Sequence, residues 1–252
     1  MSMAASNPWI TRLRPNAQAS LRLFCFPYAG GSSLTFRGWE AHLPATVELC
    51  PIELPGRGLR LQEPAFERLA PLAEATVEAL RPYLDKPFAF FGHSMGALLS
   101  FEVARRLRRM GQKPVQLFVS GRRAPQWPDP DPPIHALPEA EFIAELRRLN
   151  GTPAAVLENR ELMQLLLPTL RADFAVLDTY GYEPEPPLSC PIVAFGGLQD
   201  PDVTCEMLEA WGQQTCSGFS LQMLPGDHFF LHRVQPLLGQ TLHRALASLI
   251  PL

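Results

Sequence analysis

Apolar residues in this chain fall in short continuous blocks, and few of the blocks alternate with polar positions. The blocks are LRLFCF (Leu21–Phe26), VELCPIEL (Val47–Leu54), FAFFG (Phe88–Gly92), VQLFVSG (Val115–Gly121), PIVAFGG (Pro191–Gly197) and FSLQML (Phe219–Leu224). Continuous apolar runs bounded by Gly and Pro predict strands covered on both faces. Between them lie helix-period segments: PLAEATVEALRPYL (Pro71–Leu84), MGALLSFEVARRLRRMG (Met95–Gly111), VTCEMLEAWGQQT (Val203–Thr215) and PLLGQTLHRALASLI (Pro236–Ile250). The second of these ends in arginines and a glycine, the usual close of a helix. Strand–helix alternation of this kind predicts an α/β protein with a mostly parallel sheet and helices on both faces. The alternation breaks once. From Gly121 to Pro191 no strand is evident, and LPEAEFIAELRRLN and NRELMQLLLPTLRADFAVLDTY read as consecutive helices. The chain is therefore expected to be one domain over 1–252, with a helical subdomain inserted at about 128–180.

Composition narrows the class. With 252 residues, 46% of them apolar, the chain can bury a sizeable core. A net charge of -3 gives no global support for binding a polyanion, so nucleic acid is not an expected partner. Proline is abundant, 27 residues, and clusters between apolar runs as PDPDPP and EPEPPL, which reads as stiff loops. Five cysteines without a CxxC pair point to free thiols in a reducing compartment. The first fifteen residues show no secretory h-region, and no apolar run reaches the roughly 18 residues of a membrane span. A soluble cytoplasmic protein is expected.

The candidate chemistry begins in FFGHSMGALL. Gly92-His93-Ser94-Met95-Gly96 joins a predicted strand to a predicted helix. In that context G-x-S-x-G is a nucleophile elbow: a sharp turn lifts the serine, and the glycines let backbone segments pass closely. The following helix N-terminus points N–H groups at any oxyanion formed there. A serine needs a base, and the base an orienting acid. His228 follows FSLQML through PGD, where a loop at the sheet edge would place a base; His135 comes too early and His243 lies in a helix pattern. His232 reads as structural. Asp200 comes first after Gly196–Gly197 in FGGLQDPDV and is the expected acid, with Asp202 expected to cap the next helix. Asp173 and Asp178 fall in the helical insert, and Asp227 is too near His228. Met95 is one expected oxyanion donor. The other is Ala29 or Tyr28, in the small-residue loop FPYAGGSS. The pair His228/His232 has half a zinc spacing, but HFFLH lacks the glutamate of H-E-x-x-H, so no metal is assigned.

Together FPYAGGSSLTF, IELPGRGLRLQEP, FFGHSMGALLSFEVAR, LFVSGRRAP, FGGLQDPDV and GDHFFL resemble, nearly end to end, the type II thioesterases. These are free-standing thioesterases of polyketide and nonribosomal peptide synthesis, related to the animal medium-chain fatty acyl thioesterase. The resemblance implies the α/β-hydrolase fold, a Ser94–Asp200–His228 triad and an oxyanion hole from the backbone of Ala29 and Met95. It also implies a helical lid at the insert, no cofactor beyond the phosphopantetheine carried by the substrate, and hydrolysis of acyl groups from acyl or peptidyl carrier proteins. That activity clears stalled or wrongly primed carriers of a synthase. A monomer is expected, and the short flanks fit a free-standing enzyme. An acyltransferase on the same scaffold, passing the acyl group to an acceptor other than water, is the alternative.

Other features have competing uses. The arginines of VARRLRRMGQK either offset the helix dipole or dock an acidic carrier; Arg122 and Arg123 are better placed for docking. Arg57 in LPGRG reads as a structural loop residue. The stripe Leu162, Leu165, Leu166, Thr169, Leu170, Phe174 and Leu177 has helical spacing. Leu166, Leu170 and Phe174 are its candidates for an acyl channel.

Overall fold

The computed structural model describes residues 7–11, 15–128 and 131–249. The first residues of the sequence, part of the PDPDPP stretch and Ile250 of the predicted last helix lie outside the described residues. The six apolar blocks form six strands: β1 (Leu21–Phe26), β2 (Val47–Pro51), β3 (Phe88–His93), β4 (Gln116–Ser120), β5 (Ile192–Gly197) and β6 (Phe219–Leu224). They make one sheet in the order β2-β1-β3-β4-β5-β6. Every neighbouring pair is parallel.

The continuous apolar runs are explained by cover on both faces. Along β1, Phe24 and Phe26 enter one core, while Leu21, Leu23 and Cys25 enter the other. Side chains alternate across a strand, so a strand buried on both sides must be apolar at every position. Helices α1 (Leu69–Leu80) and α2 (Met95–Arg109) cover the Phe24 face, with Trp211 closing its far end. The opposite face is covered near the chain's end. The edge strand β6 is only partly buried, and there the alternation returns.

The insert lies between β4 and β5. It comprises α3 (Glu139–Leu149), the short α4 (Ala154–Leu157) and α5 (Arg160–Asp178). Its apolar stripes meet each other: Phe142, Leu146, Leu157, Met163, Leu167 and Leu170 form a separate small core. The remaining helices are α6 (Cys205–Glu209), α7 (Phe230–Arg233) and α8 (Gln235–Ala247). The predicted helix over Val203–Thr215 is thus split: α6 gives way to a 3-10 turn over Ala210–Gln214 that contains Gly212. Its N-cap is Thr204, whose side chain accepts from the Met207 amide. Asp202 is not the cap; it is drawn outward to Arg148 at 3.1 Å.

All crossovers being parallel, every strand points its carboxyl end to the same edge. The chain starts in the middle at β1, runs out to β2, then returns to β3 on the other side. The gap between β1 and β3 is the point where the winding reverses, and loops there diverge to leave a crevice.

Candidate active site

The loop after β3 carries Ser94 at that crevice. Its φ of 53° and ψ of -115° lie in a region side chains rarely adopt. The turn is held because Ser94 N–H donates to the Ser120 carbonyl at 2.8 Å. The glycines two residues to each side are obligatory on steric grounds. A Cβ on Gly92 would lie 2.2 Å from the Gly96 carbonyl oxygen, and one on Gly96 would lie 2.1 Å from that of Phe26. The elbow is therefore a three-way close approach of β1, β3 and α2, which no larger residue permits.

His228 comes from the loop after β6. Its Nδ1 is 2.7 Å from Asp200 Oδ2. Asp200, after β5, is held in turn: its Oδ1 accepts the amides of Asp202 and Val203 at 3.0 and 3.2 Å. Its side chain is fully buried, while that of His228 is 20% exposed, so the imidazole faces the cleft and the acid stands behind it. With Nδ1 committed to the carboxylate, Nε2 is left as the basic nitrogen. Ser94, His228 and Ala29 line one cleft, with Tyr28, Phe229, Leu170 and Phe174. Met95, fully buried, opens α2 directly after the serine.

The two other histidines near the site are part of its frame. His93 is completely buried; its Nδ1 meets Ser120 Oγ at 2.9 Å, and burial keeps its pKa well below the usual 6.5. Its ring lies 5.3 Å from that of His228, centroid to centroid. His232, in α7, meets the Tyr28 hydroxyl at 3.1 Å, and burial lowers its pKa too. His135, at the start of the insert, pairs with Asp178 at 2.8 Å, and Asp178 in turn borders the cleft.

The lid helix contributes Leu170, Phe174 and Leu177 to the cleft. Leu166 is placed differently: it packs into the insert's own core. Four residues, about 6 Å along the axis, separate it from Leu170, which does line the cleft. Arg122 and Arg123 do line the cleft, with Arg148 and Asp131. Burial and the adjacent Arg123 disfavour the charge on Arg122. The arginines of α2 are engaged elsewhere. Glu102 takes Arg105 and Arg106 at 2.5 and 2.7 Å. Glu185 takes Arg105 and Arg108 at 2.7 and 2.5 Å, and Arg109 as well. Their visible work is to fasten the proline-rich segment that leads from the lid to β5.

One connection was not foreseen from the sequence: Asp173 of α5 and Arg57 form a buried pair beside the β1 loop. The signal was present. Asp173 sits on the same helical face as Thr169, Leu170 and Leu177, and an acid on a buried face requires a buried cation.

A serine, an imidazole and a carboxylate brought together at the carboxyl edge of a parallel sheet, with a glycine-flanked elbow, define a serine hydrolase of the α/β type. The profile of the thioesterase domain matches residues 21–246, and the chain belongs to that family. Among its relatives, the gramicidin S biosynthesis protein GrsT of Aneurinibacillus migulanus is 50% identical over 90% of this chain and 89% of its own. The protein named linear gramicidin dehydrogenase LgrE, of Brevibacillus parabrevis, is 48% identical over 95% of this chain and 93% of its own. The type II thioesterase BorB, from the borrelidin biosynthetic cluster, superposes with a TM-score of 0.87 at 36% identity, covering 95% of this chain and 98% of that structure.

Proposed function

We propose that the protein is a type II thioesterase that releases acyl groups from the phosphopantetheine thiol of acyl or peptidyl carrier proteins in polyketide or nonribosomal peptide synthesis. The single observation that carries the catalytic part is a strained, glycine-flanked Ser94 sharing one cleft with His228, whose Nδ1 is held by the buried Asp200. The carrier part is supported by relatives named for gramicidin S biosynthesis and by the type II thioesterase BorB.

In this reading His228 Nε2 takes the Ser94 proton as Oγ attacks the thioester carbonyl carbon. The carbonyl oxygen becomes an oxyanion, received by the amides of Ala29 and Met95. His228 then gives its proton to the departing pantetheine sulfur, which leaves as the free thiol. Water, deprotonated by the same imidazole, attacks the acyl-serine; the C–Oγ bond breaks, Ser94 Oγ takes the proton back from His228, and the acid is released. Asp200 keeps the imidazole in the correct tautomer and stabilises its charged form. The phosphopantetheine arrives with the substrate, and no cofactor of the enzyme's own is assigned. A monomer acting in the cytoplasm completes the reading.

A panel of acyl-loaded carrier proteins, with the matching coenzyme A thioesters, tests it by product and preference. Free acid is expected from the carrier forms at the higher kcat/KM. Transfer of the acyl group to an added amine or alcohol in place of hydrolysis would favour an acyltransferase. Ser94→Ala should retain the fold and lower turnover by about 10³-fold or more. Near-normal hydrolysis by the folded variant would remove Ser94 from the mechanism.

A further inference from the structure

One face of α5 grips the two loops that border the oxyanion site, and no step above requires that grip. Asp173 Oδ2 accepts the Gly30 amide at 2.6 Å and Arg57 Nη1 at 2.8 Å, while its Oδ1 accepts Arg57 Nη2 at 2.7 Å. The same Nη1 donates to the Gly31 carbonyl at 3.0 Å. Both side chains are buried, Arg57 at 6% and Asp173 at 2% exposure. Leu170, one turn earlier, presses on Gly30: a Cβ there would lie 2.6 Å from Leu170 Cδ2, and Gly30 has a φ of +76° that favours glycine anyway. Thr169 donates to the Gly56 carbonyl at 2.6 Å, next to Arg57.

The turn gripped in this way is the one that carries Ala29. It is closed by the Gly31 amide donating to the Tyr28 carbonyl at 2.8 Å. Asp173 holds the Gly30 N–H and, through Arg57, the Gly31 C=O. The Ala29–Gly30 and Gly31–Ser32 peptide groups are thereby fixed, and with them the Tyr28–Ala29 peptide before them, which carries the Ala29 amide and whose carbonyl takes the Gly31 N–H. Stability alone is a poor reason for such an arrangement, since a buried ion pair is commonly no better than apolar residues of the same size. An oxyanion donor, by contrast, works only if it is aimed before the reaction begins.

We propose that Asp173 is a positioning residue: its carboxylate, borne on the lid helix, aims the Ala29 amide at the oxyanion, so that lid seating and oxyanion stabilisation are one coupled element. The inference rests on the assignment of Ala29 in the reading above.

Two charge-free backgrounds isolate the effect. Arg57→Met with Asp173→Asn removes both charges but leaves a side-chain oxygen for the Gly30 amide. Arg57→Met with Asp173→Leu removes the acceptor as well, and Arg57→Met with Asp173→Ala does the same by truncation should leucine not fit. The readouts are phosphonylation of Ser94 by a fluorophosphonate and hydrolysis of a simple activated ester. Both depend on oxyanion stabilisation and neither on a carrier, so failure of the carrier reading leaves this test intact. The acceptor-free proteins, once shown to unfold at temperatures similar to the asparagine form, should lose about 10- to 100-fold in kcat and in labelling rate with KM little changed. That is less than the 10²- to 10³-fold expected for deleting a donor outright. Labelling at the rate of the asparagine form, or a loss confined to KM, would overturn the proposal.

Discussion

Ser94 and its neighbours show how much chemistry a few backbone angles can hold. The serine's positive φ is maintained by the hydrogen bond its N–H donates to the Ser120 carbonyl and by the crowding of Gly92 and Gly96. Behind it the geometry separates two acids: Asp200 faces His228, and Asp202 faces Arg148. Asp200→Asn should cost several orders of magnitude in kcat while leaving the fold intact, because an amide favours the wrong imidazole tautomer. Asp202→Asn should stay near wild type in the same assay. The reverse ranking would reassign the acid. His93 offers a second test at this scale. Folding holds its pKa below 6.5, so at lower pH the unfolded chain takes a proton that the folded chain refuses. The stability from this neutral burial is fully present above about pH 6.5 and drains away as pH falls below it. His232 adds in the same direction. Thermal unfolding followed from about pH 7.5 to about pH 5 should show this acid loss, and His93→Gln should flatten it. An unchanged slope would mean another group dominates.

Among the elements, the strands were the most legible. β1 and β6 occupy the stretches predicted from their apolar blocks, because burial on both faces leaves an unbroken run. The insert was legible from the same rule, as the place where no such run occurs. α6 was not, since a helix pattern cannot show where the last turns tighten to 3-10 form around Gly212. Nor was the partner of Asp173: the helical face shows that this acid needs a buried cation, but not that Arg57 of a distant loop supplies it. The candidate triad was easier to place along the sequence than the candidate channel, for a physical reason. Catalytic side chains sit at strand ends, which the apolar runs mark, whereas a helix stripe does not say which of its turns overlies the cleft. Phe174 does overlie it, and its ring also meets Phe142 of α3. Shortening it by Phe174→Leu should move the optimum of kcat/KM toward longer or bulkier acyl groups. Each further methylene buried is worth about 0.8 kcal/mol, or about fourfold. Curves for wild type and variant that run parallel across a straight-chain acyl series would remove Phe174 from selectivity.

At the scale of the whole molecule, the loops after β1, β3, β5 and β6 converge on one edge, and the insert lies over them. The insert touches both halves of the site. α5 grips the β1 loop, and Gly151, just after α3, abuts the Phe229 ring next to His228: a Cβ there would lie 2.6 Å from Phe229 Cζ. The α2 arginines, tied to Glu102 and Glu185, stand as fasteners of the segment leaving the insert. The insert nonetheless keeps a core of its own, built from Phe142, Leu146, Leu157, Met163, Leu167 and Leu170 and separate from the two that flank the sheet. A protein divided in this way separates the packing of the roof from the packing of the sheet. Changes within the small core alter the roof over the substrate while the packing that makes the chain fold goes untouched. Descendants of such a scaffold can change what the roof admits while the two cores that flank the sheet keep their packing.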